Sequence, residues 1–185
     1  LAWLPVPDET GETTRAALRA LFVEHGPPLV LKSDNGSGFK GERVRALLSE
    51  WGVTPLRSPP VTPEYNGSCE AGNGAMKTHS HYEAALSGRA GYWTSEDVER
   101  ARRHANEFHH PDGHTQPAPL EVWRSRSPID HNERSRFQLT VERIDNELQR
   151  ALGAEHTEEP TEAELAAQYR RVVRRALEEL GILSI

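Results

Sequence analysis

The stretch Leu29-Val30-Leu31-Lys32-Ser33-Asp34-Asn35-Gly36-Ser37 decides the fold of this chain, because a short apolar run ends at an acidic residue and an Asn-Gly turn. It follows the helix-breaking Gly26-Pro27-Pro28. A brief apolar run bounded in this way is typical of a buried parallel strand. Side chains that follow such strands lie where open α/β sheets place their ligands. Asp34 is therefore the first candidate functional residue.

The segments around this strand alternate between helix and strand. Residues 10–25 carry apolar side chains at helical spacing, and a second helix is expected to end at Trp51, with Gly52 as its stop. Residues 53–56 predict the next strand, and residues 1–6 predict a short strand at the start of the chain. This order predicts an α/β layer with a parallel edge.

Beyond Gly91 the sequence is predicted to be helical and charged. The expected helices are residues 94–109, 117–123, 132–152 and 161–180, and residues 153–160 are typical of a polar linker. An apolar stripe on the last helix favours packing against the preceding helix. The alternative is that the arginines of the last helix bind DNA phosphates or a partner. These arginines are Arg170, Arg171, Arg174 and Arg175.

A second carboxylate stands in Asn66-Gly67-Ser68-Cys69-Glu70-Ala71-Gly72-Asn73, with 35 residues between Asp34 and Glu70. Ser68 is a plausible N-cap, which places Glu70 in the first turn of a helix. An aspartate that closes a strand and a glutamate that opens a helix can meet in space. Two such carboxylates can hold Mg²⁺, a hard cation that prefers oxygen ligands. Two ions can then activate one oxygen and stabilise another on a phosphodiester.

Both motifs resemble those of the DDE transposases and integrases, whose catalytic cores share a ribonuclease-H-like fold. Asp34 and Glu70 match the second and third metal ligands of that family at its usual spacing. The resemblance implies an α/β, ribonuclease-H-like core that is N-terminally incomplete, followed by an α-helical C-terminal tail. The expected division is residues 1–126 for the integrase-like catalytic core and residues 127–185 for the helical extension.

Four further residues match positions that the resemblance implies contact DNA. Asn73 and Lys77 follow Glu70 by one and two helical turns, on the same helix face. Tyr65 and Asn66 belong to a breaker-rich loop before that helix. A solvated lysine is the alternative for Lys77. Asn73 could instead orient the Glu70 carboxylate, and Tyr65 could stack on a base or simply pack.

The later segment from Asn106 to Trp123, with its His109-His110-Pro111 sequence, resembles bacterial insertion-sequence transposases more than retroviral enzymes. The family's first aspartate has no counterpart, because Asp8 stands in a turn where a role at the helix N-terminus is expected. By itself the chain is therefore expected to be inactive. The strand that carries this aspartate would lie beside residues 29–31, so we expect an unstable chain or another segment filling the gap.

The function implied by the resemblance is DNA transposition or integration: metal-dependent phosphodiester cleavage and strand transfer. It implies Mg²⁺ or Mn²⁺ as cofactor, and DNA and further copies of the chain as partners. It also implies a bacterial, cytoplasmic and nucleoid-associated location. Two alternatives stay open. One is a catalytically inactive transposase remnant that binds DNA or a partner subunit, and the other is a metal-dependent nuclease of the same fold.

The composition is that of a polar chain, with 185 residues, 36% hydrophobic residues, mean hydropathy −0.70 and net charge −6. No apolar run approaches the roughly 20 residues that span a bilayer, so no membrane partner is expected. The single cysteine, Cys69, excludes an internal disulfide and suits a reducing cytoplasm. The negative charge argues mildly against strong DNA binding by the chain alone.

A zinc site is a weaker hypothesis, since the spacing of the candidate ligands does not match paired zinc ligands. These candidates are His104, His109, His110 and His114.

Overall fold

The structure is a computed structural model that describes residues 2–59, 62, 65, 67–111, 113–153 and 160–183, with the backbone alone for residues 152 and 153. The chain forms two compact units. Unit 1 contains Leu1–Asp8 and Pro63–Pro128, and unit 2 contains Glu9–Thr62 and Ile129–Ile185. Each unit is described in turn below.

Unit 2 combines a small sheet with helices from both ends of its sequence. Its elements are α1 (Gly11–His25), β1 (Val30–Ser33), α2 (Ser37–Lys40), α3 (Glu42–Glu50), β2 (Thr54–Arg57), α7 (His131–Gly153) and α8 (Glu162–Glu179). The predicted helix, strand, helix, strand order is confirmed, with α3 ending at Glu50 and Gly52 following in a left-handed conformation (φ 61°).

The strands β1 and β2 run parallel, with Val30 opposite Thr54 and Ser33 opposite Arg57. Among the described residues the sheet contains these two strands. The prediction of a strand over residues 1–6 is wrong, because residues 2–6 form neither a strand nor a helix. Prolines at positions 5 and 7 remove backbone donors that a ladder needs, and this segment instead places Trp3 against the helices of unit 1.

The two faces of the sheet bury separate cores because side chains alternate along a strand. Leu31 packs with the apolar faces of α1 and α3, including Phe22 and Val44. Val30 and Leu56 pack instead with α7 and α8. The buried residues of this second core are Leu29, Phe137, Val141, Ile144, Val172, Val173 and Ala176. Unit 2 is therefore an α/β/α sandwich in which the C-terminal helices form one layer.

The predicted packing of the last helix against the preceding one is confirmed. Val172, Val173 and Ala176 of α8 are fully buried against Ile144 of α7. A capping box begins α8. Thr161 Oγ1 accepts from the backbone N–H of Glu164 at 3.3 Å, and the Glu164 carboxylate accepts from the backbone N–H of Thr161 at 2.9 Å. Residues 154–159 of the predicted linker lie outside the described residues.

Unit 1 consists of α4 (Gly67–Leu86), α5 (Ser95–Glu107) and α6 (Pro119–Ser125). Met76 of α4 packs on Ala101 and Ala105 of α5, with Trp3 beside them. The N-cap prediction for Ser68 is wrong: α4 already begins at Gly67, so Ser68 lies inside the first turn.

None of the helices in the described part of the chain has the length and apolar character needed to cross a membrane.

Candidate functional site

Asp34 stands immediately after β1, at the carboxyl edge of the sheet in unit 2, and its side chain is exposed. Its Oδ1 accepts a hydrogen bond from the backbone N–H of Gly36 at 2.9 Å. A side chain at position 36 would place its Cβ 2.9 Å from the same oxygen, so it would displace the Asp34 carboxylate from this position. The Asn-Gly turn thus holds the carboxylate in one orientation through one of its two oxygens.

The loops after the two strands are tied together next to Asp34. The Asn35 side-chain amide donates to the carbonyl oxygen of Ser58 at 2.8 Å. Ser58 in turn donates to the carbonyl oxygen of Ser33, from its backbone N–H at 2.9 Å and from its hydroxyl at 3.0 Å. These bonds extend the ladder past both strand ends and fix the backbone from which Asp34 projects. No local pattern in the sequence marks Ser58, whereas an asparagine directly after a strand is a signal for Asn35.

Gly38, in the short helix α2, closes this turn against the start of α1. It is buried, and an added Cβ would lie 2.6 Å from Thr14 Oγ1 and 2.8 Å from the carbonyl oxygen of Glu9. The sequence Asp-Asn-Gly-Ser-Gly therefore does two things: it positions the Asp34 carboxylate, and it allows the backbone at Gly38 to pack closely against the start of α1.

Glu70 is in the first turn of α4, in unit 1, and its side chain is exposed. A carboxylate in the first turn of a helix interacts favourably with the helix dipole. Lys77, two turns further on, is also exposed, and no partner for it is found among the described residues. Glu70, Asn73 and Lys77 share one face of α4 because residues three, four and seven apart are neighbours on a helix surface.

Asn73 has a partner inside unit 1, since its Oδ1 accepts from the indole N–H of Trp3 at 3.2 Å. Trp3 is half-buried and orients this amide one turn from Glu70. Nothing in the sequence pattern paired residues 70 positions apart, so this contact was missed. Tyr65 lies in a short helical turn before α4 and is half-buried, and Asn66 lies outside the described residues.

The site residues therefore fall into two groups. Glu70, Asn73 and Lys77 belong to unit 1, whereas Asp34 belongs to unit 2. Both acids are exposed carboxylates with the hard oxygen donors that Mg²⁺ and Mn²⁺ prefer, so their chemistry suits such a cation.

The zinc hypothesis gains no support. The rings of His79 and His104 lie 6.3 Å apart, and those of His79 and His109 lie 6.5 Å apart. Among the residues that the structure describes, no group of three or more His, Cys, Asp or Glu side chains could hold a metal ion.

Solved structures with a similar fold include the following three. A chain of the cryoEM structure of the simian T-cell lymphotropic virus intasome in complex with PP2A regulatory subunit B56 gamma matches with a TM-score of 0.58 and 18% identity, over 67% of this chain and 44% of that chain. The catalytic core domain of BIV integrase matches with a TM-score of 0.52 and 24% identity, over 64% and 73% of the two chains. The HTLV-2 integrase catalytic core domain in complex with magnesium (trimeric form) matches with a TM-score of 0.50 and 18% identity, over 62% and 70%.

No protein-family model and no curated protein sequence matches the chain. The chain spans less than half the length of the first of the three similar structures. At these identities the similarity is one of fold, so the chain has an integrase-core-like fold, as the resemblance of its motifs implied. The expectation of an insertion-sequence relative stays a prediction, since the three similar structures come from viruses.

Proposed function

We propose that this chain is part of a polynucleotidyl transferase that carries out DNA transposition or integration, of the insertion-sequence type. The observation that carries the proposal is the position of Asp34, which is exposed directly after β1 of an integrase-core-like fold and is held by a dedicated turn. The carboxyl edge of a parallel sheet is where α/β folds position ligands. The second carboxylate of the proposal is Glu70, in the first turn of α4.

In this proposal Asp34 and Glu70 are ligands of Mg²⁺ or Mn²⁺. When bound, such ions neutralise phosphate charge and favour in-line attack of an oxygen on the phosphodiester. Asp34 has one oxygen occupied by the Gly36 N–H, which leaves its second oxygen for a metal. In this proposal the chain's own contribution is to supply the two carboxylates that bind the ions.

DNA contacts are proposed for the residues around Glu70. Lys77 would reach a phosphate from the same helix face as Glu70. Asn73 would contact the substrate through its amide nitrogen, because its oxygen already accepts from Trp3. Tyr65 and Asn66 would contact DNA from the loop that precedes α4. We further propose that the functional protein is a homo-oligomer.

A second candidate function is a transposase remnant that binds DNA or a partner subunit without cutting. It is favoured by the observation that the described residues contain no group of three metal-binding carboxylates, histidines or cysteines. A metal-dependent nuclease of the same fold is the third candidate, and it differs from the first in releasing products instead of joining them.

The test combines metal binding with DNA joining. Free Mn²⁺ is measured by electron paramagnetic resonance in titrations of the 185-residue chain. Cleavage and strand transfer of labelled oligonucleotide duplexes are then measured for this chain and for the longest protein that its gene encodes. The variants are Asp34→Asn and Glu70→Gln, and Glu142→Gln on an exposed part of α7 is the matched control.

We expect joining by the longest encoded protein in Mn²⁺, with a loss of at least about a hundredfold in Asp34→Asn and Glu70→Gln and none in Glu142→Gln. Cleavage without joining would support the nuclease. DNA binding without either reaction, in both proteins, would support the remnant and would overturn the proposed enzyme.

A further inference from the structure

A block of four arginines occupies the middle of α8, and four glutamates of the same helix balance its charge. The arginines are Arg170, Arg171, Arg174 and Arg175, and the glutamates are Glu162, Glu164, Glu178 and Glu179. The glutamates lie in the first and last turns, and the arginines lie between them. The two signs of charge are therefore separated along the helix, and its middle turns are strongly basic.

Packing decides which side of these turns faces solvent. Val172, Val173 and Ala176 are fully buried against α7 and the sheet. Arg171 and Arg175 lie one turn apart on the other side of the helix, and both are exposed. Burial of the apolar stripe thus leaves the basic side of α8 on the surface of unit 2.

The neighbouring carboxylates are already engaged. Arg174 Nε lies 2.8 Å from Glu178 Oε1, and Glu179 pairs with Arg143 of α7. Among the described residues, Arg171 and Arg175 have no carboxylate within ion-pair distance. Their charge is therefore available to an anion from outside the chain.

Arg170 connects this surface to the carboxyl edge of the sheet. Its Nη1 donates to the carbonyl oxygen of Arg57 at 3.5 Å. Arg57 is the last residue of β2 and lies opposite Ser33, the residue before Asp34. The basic side of α8 therefore begins at the same edge of the sheet as Asp34.

We propose that Arg170, Arg171 and Arg175, the α8 basic surface, bind the phosphate backbone of duplex DNA beside Asp34. Guanidinium groups match phosphate oxygens with paired hydrogen bonds. Arg171 and Arg175 are about 6 Å apart along the helix axis. One DNA strand carries a negative charge about every 3.4 Å along the duplex axis, so the pair faces about two phosphates.

This inference rests on the proposed function, because the α8 basic surface would hold the duplex whose phosphodiester Asp34 acts on. It adds a contact from the C-terminal helices to those proposed for α4. The contact is with the backbone, so it contributes affinity and position without base sequence preference.

The experiment measures binding of the full 185-residue chain to a fluorescent duplex DNA of about 30 base pairs, by anisotropy, between 50 and 200 mM KCl. EDTA is present throughout, so that metal binding plays no part. The test variant is Arg171→Gln/Arg175→Gln. The control is Arg19→Gln/Arg45→Gln, which removes two exposed arginines of α1 and α3 in the same unit. A third variant, Arg171→Lys/Arg175→Lys, keeps the charge and tests folding.

We expect the glutamine variant of α8 to raise Kd at least about tenfold at 0.1 M salt and to reduce the slope of log affinity against log salt by about two. The control and the lysine variant should keep the wild-type slope. The inference is overturned if the α8 glutamine variant stays within twofold of the control, if the wild-type chain binds no DNA at 50 mM salt, or if a matched duplex RNA binds more tightly than DNA.

These results are separate from those for the proposed function. Asp34→Asn and Glu70→Gln should keep the salt slope in EDTA, because they carry no phosphate contact of the α8 basic surface. A normal slope with no metal-dependent joining would remove the proposed enzyme and leave this binding surface standing.

Discussion

At the scale of single residues, the turn after β1 is fixed by a few short contacts. Asp34 accepts from Gly36, Asn35 donates to Ser58, and Gly38 packs against the backbone of Glu9. Each of these needs a small or a specific polar side chain. The position of Asp34, which we propose as a metal ligand, therefore depends on neighbouring residues that are not proposed as ligands themselves.

Gly38→Ala should destabilise unit 2 by about 2 kcal/mol, because the new Cβ would overlap the carbonyl oxygen of Glu9 and the hydroxyl of Thr14. The higher helix propensity of alanine, about 1 kcal/mol, offsets only part of this. Gly41→Ala is the matched control, since its Cβ would meet no atom within 4 Å. Urea denaturation measures both. Equal midpoints for the two variants would contradict the packing described for Gly38.

At the scale of elements, α7 contacts the α/β layer through a charged side chain as well as through its apolar face. Arg134 donates to the carbonyl oxygens of Pro27, Pro28 and Gly52 at 2.7, 2.8 and 3.0 Å. Burial lowers the pKa of this guanidinium. One arginine thus donates hydrogen bonds to backbone carbonyl groups in the loops that precede both strands, and these bonds help to position α7 over the sheet.

Arg134→Met should lower the free energy of unfolding by roughly 3 kcal/mol, because it removes the three hydrogen bonds that a charged donor makes to these carbonyl oxygens. Arg136→Met, two residues away and exposed, is the control and should change stability by less than about 0.5 kcal/mol. Chemical denaturation followed by circular dichroism gives both values. An equally large loss of unfolding free energy in Arg136→Met would mean that substitutions anywhere on α7 are destabilising, and that the hydrogen bonds of Arg134 are not the cause.

The start of α5 is held by a buried acid. Asp97 is 0% exposed and is bound by Arg89, by Arg100 and by both the backbone and the hydroxyl of Thr94. The hydrogen bond from Arg89 is the main reason why the pKa of this carboxyl lies far below its usual range, and burial opposes that shift only in part. A lowered carboxyl pKa adds stability above the unfolded pKa of about 3.9, and this stability is lost as the pH falls towards the folded value.

Unit 1 should therefore lose stability as the pH falls below about 4. Asp97→Asn should have a lower Tm than the wild-type chain at pH 7 and a smaller further decrease on acidification. Thermal unfolding followed by tryptophan fluorescence from pH 7 to pH 3 tests this, with Glu96→Gln as an exposed control on the same helix. The explanation fails if Asp97→Asn and the wild-type chain lose the same Tm over that range.

At the scale of the whole molecule, the sequence order and the compact units do not coincide. Residues 9–62 share a core with residues 129–185, and residues 63–128 form a separate unit with the first residues of the chain. The helices α7 and α8 bury the face of the sheet that carries Val30 and Leu56. The C-terminal helices are therefore structural partners of the strand that leads to Asp34.

Deleting residues 129–185 should abolish the hydrogen-exchange protection of the backbone N–H groups of β1, because Val30 would lose its apolar cover. Ile144→Ala is the milder form, with an expected loss of about 3 kcal/mol from a fully buried site. Leu139→Ala on an exposed position of α7 should have little effect. Mass spectrometry of a peptide covering residues 29–33 measures the exchange. Unchanged protection after the deletion would show that the sheet is stable without these helices.

The sequence alone determined what is encoded locally. Apolar periodicity and breakers predicted α1, β1, β2 and the C-terminal helices, because these signals act between residues close in the chain. The motif at Asp34 predicted an acid after a strand, and the structure has it there. The predictions of a strand over residues 1–6 and of a cap at Ser68 were wrong, because packing of Trp3 and the start of α4 at Gly67 overrode local preference.

Only the tertiary structure decided the contacts between distant residues. The pairing of Trp3 with Asn73, of Asn35 with Ser58 and of Arg170 with Arg57 joins positions far apart in the chain, and no periodic pattern records such pairs. Burial of Val30 and Leu56 required a layer of helices, and the tertiary structure shows that α7 and α8 supply it. The physical reason is that hydrophobic burial is non-directional: the sequence marks which faces must be covered, and the folded chain determines which segments cover them.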